Sequence, residues 1–277
     1  MCRLFGLHTG RMVATAEFWL VEAADSLIAQ STTNTDGFGI GTFGEDGSPN
    51  VQKRPLPAWD TPSFTKEAHR LRGTTFVAHV RHSTKGGKTM ANTHPFLQHD
   101  RLFAHNGDIG GMSELDAQLV SRGGSGLVMG ETDSERIFAL ITAETRQHGG
   151  NVRDGIVAAV SWLDDNVPIT SLNFVLTTPT DLWALRYPAT DSLYLLERPA
   201  GGVGPELRKF TARGSHLHAK SDELLDYPSV VIASERMDDE TNWQPIESGD
   251  LVHVDTTLTV RTESVLAGSA SSWKPTA

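Results

Sequence analysis

Short apolar strands are predicted at both ends of the sequence, and amphipathic helices are predicted between them. The first strand begins at Leu4, a buried strand covers residues 74–80, and strand-like runs continue from Leu172 onward. The predicted helices cover residues 15–30, a segment starting near Thr132, and residues 152–163. Strands at each end with helices between them indicate an α+β fold in which helices cover two sheets.

Three segments lack a strong periodic pattern. Residues 44–65 are rich in Gly, Pro and Asp and are predicted to form a loop, and residues 82–95 form a long polar segment. The last fourteen residues, 264–277, are small and polar and are predicted to form a flexible tail. We therefore expect one domain over residues 2–263.

Composition excludes several classes of protein. The formal charge of −10 disfavours nucleic acid, and no apolar run is long enough for a membrane helix. Arg3, His8, Arg11 and Glu17 interrupt the first twenty residues, which is unlike a signal peptide, so we expect a cytoplasmic protein. The single cysteine, Cys2, excludes an intrachain disulfide and any zinc site with several thiolates. We expect no cofactor and no metal.

Cys2 can combine two chemical roles if Met1 is removed. A cysteine at position 2 is by itself commonly incidental. Removal of Met1 would nevertheless place a thiol and a free α-amino group on one residue. The α-amine titrates at about 7.7 to 8.0, so a useful fraction is neutral near pH 7 and can accept the thiol proton. Cys2 is therefore a candidate nucleophile with its own base.

Attack on a carbonyl creates an oxyanion that needs fixed hydrogen-bond donors. Asn106 and Gly107 follow a short predicted strand, residues 102–104, and could supply a carboxamide and a backbone N–H from a loop. The alternative is that Asn-Gly here is an ordinary turn.

An amino-acid head group requires one cation and one anion. Arg81 directly follows an apolar strand and can bind a carboxylate through two parallel hydrogen bonds. Thr132 and Glu135 have the spacing of a capping box, which places Asp133 in the first turn of a helix. Asp133 could hold an α-ammonium, or it could stabilise the helix dipole alone.

Taken together, ordered motifs along the chain resemble those of the class II glutamine amidotransferases, which have the Ntn-hydrolase fold. The motifs are MCRLFG at the start, DGFGIG at 36–41, AHVRHST at 78–84, NTHPF at 92–96, AHNGDI at 104–109, GETDSE at 130–135, VIASERM at 231–237 and NWQPIESGDL at 242–251. The resemblance implies a four-layer αββα sandwich of two mainly antiparallel sheets. It also implies that glutamine or a γ-glutamyl amide is the small-molecule substrate, cleaved through a γ-glutamyl thioester.

The resemblance implies a role for each matching residue. Cys2 would be nucleophile and base, Asn106 and Gly107 the oxyanion hole, and Arg81 with Asp133 the clamp on the glutamyl head group. The residues that would line or order the pocket are His82, Ser83, Thr84, Thr93 and His94. His105, next to the proposed oxyanion residues, is expected to be a positioning residue of the substrate pocket. Ser234 and Glu235 receive no role.

The chain is most similar to the short, stand-alone members of the family, including the γ-glutamyl amidohydrolases of ergothioneine biosynthesis. Larger members carry a second domain that consumes ammonia, for which this sequence has no room. Ammonia would therefore pass to a separate synthase subunit or be released.

Two alternatives belong to other classes. His79, His82, His94, His99 and His105 lie close in sequence and could suggest a metal site. However, His79 and His82 are three residues apart on a predicted strand and would point to opposite faces. A non-catalytic binding module is the other alternative, although every residue given a chemical role is of the required type.

Overall fold

The computed structural model describes residues 2–82, 86–200 and 227–267. Its strands are β1 Arg3–His8, β2 Ala14–Thr15, β3 Gly37–Phe43, β4 Pro49–Arg54, β5 Arg72–Gly73, β6 Thr75–Arg81, β7 Phe96–Gln98, β8 Arg101–Ile109, β9 Ile169–Thr177, β10 Leu182–Leu185, β11 Tyr194–Arg198, β12 Ser229–Ala233, β13 Gln244–Pro245, β14 Asp250–Val254 and β15 Val260–Ser264. Its α-helices are α1 Leu27–Gln30, α2 Pro62–Arg70, α3 Met112–Ser121, α4 Asp133–Gln147 and α5 Val152–Asn166. None of these described helices is long and apolar enough to cross a membrane.

Two large antiparallel sheets form the centre of the described structure. The first has the order β13-β11-β12-β1-β6-β3-β4, and the second has the order β15-β14-β10-β9-β8-β7. Alternate side chains of each sheet meet in an apolar layer between them, which includes Leu4, Val77, Leu102, Ala104 and Val175. The sheets therefore pack face to face.

Helices cover the outer face of each sheet. Phe5 and Phe76 of the first sheet pack with Trp19 and Phe64 from the adjacent helical segments. Phe103 and Phe174 of the second sheet pack with residues of α3, α4 and α5, among them Phe138. This arrangement confirms the predicted α+β fold with four αββα layers.

The predicted helix over residues 15–30 is wrong as a single element. The chain instead forms a π-helical turn, Phe18–Glu22, and then a separate short helix, α1. Ala23 is extended between them, and the backbone N–H of Asp25 bonds to the carbonyl of Met237. Trp19 and Leu20 before the break are both fully buried, and the bond to Met237 after it is a tertiary contact that no local pattern predicts.

The predicted loop over residues 44–65 is also wrong in part. It contains β4, which pairs with β3, and the first turn of α2, where Pro62 occupies the first helical position. The strand PNVQKR is an edge strand without apolar alternation, so only its pairing with β3 reveals it.

The end of the chain is packed slightly beyond the predicted boundary. Ser264 belongs to β15, and the backbone N–H groups of Val265 and Leu266 both bond to the carbonyl of Gly249. Residues 268–277 lie outside the described residues. The assignment of residues 2–263 to one domain stays a prediction.

Candidate active site

The Cys2 sulfur lies against the end of β6. Antiparallel pairing of Arg3 with Val80 places Cys2 beside Arg81 and His82. The His82 backbone N–H donates to the sulfur at 3.2 Å, and the thiol lies 3.3 Å from the His82 carbonyl oxygen. Burial raises the pKa of the Cys2 thiol, although the His82 N–H and nearby positive charges oppose the shift. The resting sulfur therefore favours the thiol and needs a base to react.

Arg81 ends β6 with its side chain almost fully buried. It alternates in phase with Val77, so it points toward the second sheet. Its guanidinium donates to the carbonyl oxygens of Gly86, at 3.3 Å, and Gly87, at 3.2 Å. These contacts orient the cation at the edge of the space between the sheets.

Asn106 and Gly107 lie inside β8, which corrects the expectation that a loop carries them. Asn106 pairs with Asn173 and Gly107 with Leu172 of β9, a pairing that local sequence does not reveal. Asn106 alternates in phase with Ala104 and so points toward the first sheet. Within the described residues its buried carboxamide has no hydrogen-bond partner. The amide is therefore available to a ligand.

The first turn of α4 fixes Asp133 beside the end of β8. Thr132 accepts a hydrogen bond from the Glu135 backbone N–H at 3.2 Å, which confirms the predicted helix start. The Asp133 carboxylate accepts from the backbone N–H groups of Ile109, at 3.1 Å, and Ser134, at 2.8 Å. Asp133 is thus held by both the helix and β8.

The second half of the predicted capping box does not form. The Glu135 carboxylate accepts from the backbone N–H groups of Met129, at 3.1 Å, and Gly130, at 2.6 Å. It therefore holds the loop before α4 and does not reach back to Thr132.

Three buried histidines stand behind the site. The rings of His79 and His94 are 4.1 Å apart, and His94 also packs on Phe96. Burial lowers the pKa of His79 to about 3 and holds that of His94 well below its usual value, so both are neutral. His105 approaches the Ser134 hydroxyl at 3.0 Å and links β8 to α4.

These positions converge at one end of the gap between the sheets. Leu102 packs over Gly41, which pairs with Val77, and His105 is near enough to His79 to affect its charge. Strands β6 and β8 therefore run in the same direction and end together. The side chains of Cys2, Arg81 and Asn106 all face this gap, with Asp133 next to the end of β8.

The other predicted pocket residues are distributed differently. His82 contributes backbone atoms to the sulfur, while its position is exposed. Ser83 and Thr84 lie outside the described residues. Across the described ranges, no group of three His, Cys, Asp or Glu side chains could hold a metal ion.

Two neighbours of the site, Asp36 and Ser234, carry no role predicted from the sequence. Asp36 donates its backbone N–H to the Arg81 carbonyl at 3.1 Å and pairs with Lys88 at 2.5 Å. Ser234 accepts from the Leu4 backbone N–H at 2.9 Å and fixes the start of β1. Asp36 lies in the motif DGFGIG and Ser234 in the motif VIASERM. Membership of these motifs is the sequence feature that could have pointed to the two residues.

Several known proteins are similar to this chain in sequence. The family model described as glutamine amidotransferases class-II matches residues 1–273. A probable glutamine amidotransferase from Saccharomyces cerevisiae, DUG3, is 27% identical over 96% of this chain and 83% of its own. A putative glutamine amidotransferase from Escherichia coli K12, YafJ, is 25% identical over 78% of this chain and 83% of its own.

Among solved structures, a glutamine aminotransferase class-II domain protein from Silicibacter pomeroyi has a TM-score of 0.62 at 18% identity, covering 96% of this chain and all of the other. The glutamine phosphoribosylpyrophosphate amidotransferase of B. subtilis has a TM-score of 0.63 at 16% identity, covering 95% of this chain and 49% of the other. At these identities the likeness concerns the fold. Since the family model spans nearly the whole sequence, this chain belongs to the class II glutamine amidotransferases, enzymes that act on amide carbon–nitrogen bonds.

Proposed function

We propose that this enzyme cleaves the γ-amide of glutamine or of a γ-glutamyl compound through Cys2, after removal of Met1. The observation that carries the proposal is the convergence of Cys2, Arg81 and Asn106 on one end of the gap between the sheets. The raised pKa of the Cys2 thiol makes a nearby base necessary, and the α-amine of the same residue can supply it.

The reaction proceeds in two halves. The sulfur attacks the amide carbonyl as the α-amine takes the thiol proton, and that proton then passes to the leaving ammonia or amine. Water hydrolyses the resulting γ-glutamyl thioester and regenerates the thiol. The Asn106 carboxamide and the Gly107 backbone N–H stabilise the oxyanion in each half.

The two ends of the glutamyl head group meet opposite charges. Arg81 binds the α-carboxylate, because its guanidinium is a planar cation held at the edge of the gap by contacts to the Gly86 and Gly87 carbonyls. Asp133 holds the α-ammonium, since its carboxylate retains acceptor capacity beyond the bonds from Ile109 and Ser134. His94 and His105 support the pocket from behind.

Intact-protein mass spectrometry tests this proposal directly. The purified protein is weighed before and after incubation with a diazo-ketone analogue of glutamine. We expect a mass lacking Met1 and one stoichiometric adduct, absent from Cys2→Ala. A chain that keeps Met1 and gains no adduct would contradict the assignment.

The carboxylate clamp has its own test. Arg81→Lys keeps the charge but loses the bidentate geometry, so KM for glutamine should rise by about tenfold or more. Arg261→Lys, in the exposed strand β15, is the matched control. An unchanged KM in Arg81→Lys would place the carboxylate elsewhere.

A second candidate function is delivery of ammonia to a separate synthase subunit. It is favoured by relatives in which the matching part is only a portion of a longer chain. A glutamine–fructose-6-phosphate aminotransferase from Salmonella typhi is 38% identical over 97 residues, which are 15% of its length.

Substrate preference distinguishes the two functions. A γ-glutamyl amidohydrolase should cleave amides of larger amines faster than glutamine, whereas an ammonia-delivering subunit should prefer glutamine and respond to its partner. Both proposals retain the predicted cytoplasmic location.

A further inference from the structure

An ion pair lies directly beside the proposed nucleophile and has no place in the mechanism above. One terminal nitrogen of the Arg3 guanidinium donates to the Cys2 carbonyl oxygen at 3.3 Å. The other lies 3.5 Å from the Glu235 carboxylate. The guanidinium thus connects the backbone of Cys2 to Glu235, two residues beyond the end of β12.

The backbone around this pair is held from both sides. Leu4 donates its N–H to the Ser234 hydroxyl at 2.9 Å, and Ser234 donates its N–H to the Leu4 carbonyl at 3.1 Å. Ser192 in turn donates to the Ser234 carbonyl at 2.8 Å. Glu235 is therefore presented to Arg3 by a fixed segment.

We propose that Arg3 and Glu235 are positioning residues that orient Cys2 and set the charge of its α-amine. The inference rests on the proposed function, in which that amine is the base. A guanidinium nitrogen bound to the carbonyl oxygen of Cys2 lies at most about 7 Å from the backbone nitrogen of the same residue.

The charges of Arg3 and Glu235 shift the pKa of the Cys2 α-amine in opposite directions. A positive charge near an amine disfavours the ammonium form and so increases the neutral fraction able to accept a proton. Glu235 opposes this effect because it partly neutralises Arg3. Its side chain is 39% exposed and that of Arg3 20%, so solvent screens both contributions.

Among the described residues, Arg81 at the end of β6 also carries a positive charge that acts on Cys2. Arg81 acts in the same direction as Arg3, and the backbone of His82 contacts the sulfur. Because Arg81 is assigned to the substrate, the tests vary Arg3 and Glu235, which leaves the clamp unaltered.

The single cysteine allows the amine to be observed alone. Protein grown with ¹³C,¹⁵N-cysteine carries the label only at Cys2, and its NMR titration reports the α-amine pKa without any activity. We expect Arg3→Met to raise this pKa, and with it the acidic limb of the kcat/KM profile, by about half a pH unit. Glu235→Gln should shift both downward by a smaller amount.

Two further variants serve as controls. Arg261→Met removes an exposed arginine that pairs with Asp255 in the other sheet, and it should shift neither quantity. Arg3→Lys keeps the positive charge, so the acidic limb of its kcat/KM profile should match that of the wild type. Its kcat should be lower than that of the wild type, because one ammonium cannot make both contacts of the two guanidinium nitrogens.

The outcomes separate this inference from the proposed function. Shifts of opposite sign in Arg3→Met and Glu235→Gln support the pair, whereas no shift, or shifts in the same direction, overturn it. If the wild type forms no Cys2 adduct with the glutamine analogue, the proposed function fails, and the NMR titration still decides whether the pair sets the charge of the amine.

Discussion

Gly107 shows how one residue can be fixed by a neighbouring strand. A Cβ at this position would lie 2.0 Å from the Ser171 carbonyl oxygen and 2.6 Å from the His105 ring. Both are closer than any real contact, and the carbonyl belongs to β9 and cannot rotate away. Glycine is required here by the close approach of strands.

Gly107→Ala should therefore destabilise the protein by about 1–3 kcal/mol and reduce amide cleavage, because β8 must shift away from β9. Urea unfolding and a glutaminase assay measure the two effects. Gly126→Ala is the matched control, since a Cβ there meets nothing within 4 Å. Equal stability of the two variants would contradict this explanation.

The neutral histidines behind the site make stability depend on pH. The pKa of His79 is about 3 in the folded state, far below the value of about 6.5 for an unfolded histidine. Above pH 6.5 the imidazole is neutral in both states. As pH falls from 6.5 toward 3, only the unfolded state takes up the proton, so the folded state loses stability.

The free energy of unfolding should thus fall by up to about 1.4 kcal/mol per pH unit below pH 6 from His79 alone. His79→Leu should show a shallower decrease between pH 6 and 4.5 in urea titrations. Replacement of the exposed His99 by Gln provides the comparison. An identical pH dependence in His79→Leu and wild type would show that His79 takes up its proton at the same pH in the folded and unfolded states, which contradicts the lowered pKa.

At the scale of elements, the two long helices α4 and α5 have similar N-terminal caps, but only α4 carries a proposed site residue. Thr132 caps α4 by accepting from Glu135, and Asn151 caps α5 by accepting from Asp154, each at 3.2 Å. The first turn of α4 also carries Asp133, whereas α5 carries no proposed site residue. Removing each cap in turn therefore distinguishes a loss of helix stability, expected for both helices, from a change in the position of Asp133, expected for α4 alone.

Thr132→Ala and Asn151→Ala should each cost about 1 kcal/mol of stability. Only Thr132→Ala should also raise KM for glutamine, because the turn that positions Asp133 loosens. Thermal unfolding and steady-state kinetics of both variants make the comparison. A KM increase of the same size in Asn151→Ala would leave the α4 cap with no special link to substrate binding.

At the scale of the whole molecule, the two sheets share one apolar layer. Val175 of β9 contacts the position of Gly6 in β1, where the missing side chain lets the sheets approach. Val175 is fully buried, and residues of both sheets contribute to the same layer. Neither sheet can keep this face covered without the other.

The protein should consequently unfold in one transition, with equal calorimetric and van't Hoff enthalpies. Val175→Ala should lower the stability of that single transition by about 2 kcal/mol without dividing it. Differential scanning calorimetry of both proteins provides the measurement. Two resolved transitions would contradict the single domain predicted over residues 2–263.

Local chemistry allowed the sequence by itself to predict the α+β class, the start of α4 and the buried strands. A cap such as Thr132 and an alternating apolar run act within a few residues, so their signals are readable in order along the chain. The motifs containing Cys2, Arg81, Asn106 and Asp133 were identified for the same reason.

Only the tertiary structure decided where residues distant in sequence meet. The pairing of β8 with β9 placed Asn106 in a strand, and the pairing of β4 with β3 produced an edge strand from a polar segment. The bond from Asp25 to Met237 lies at the break in the predicted first helix. The contact of Arg3 with Glu235 spans the chain in the same way. Such contacts depend on chain pairing and packing over long separations, which no local pattern encodes.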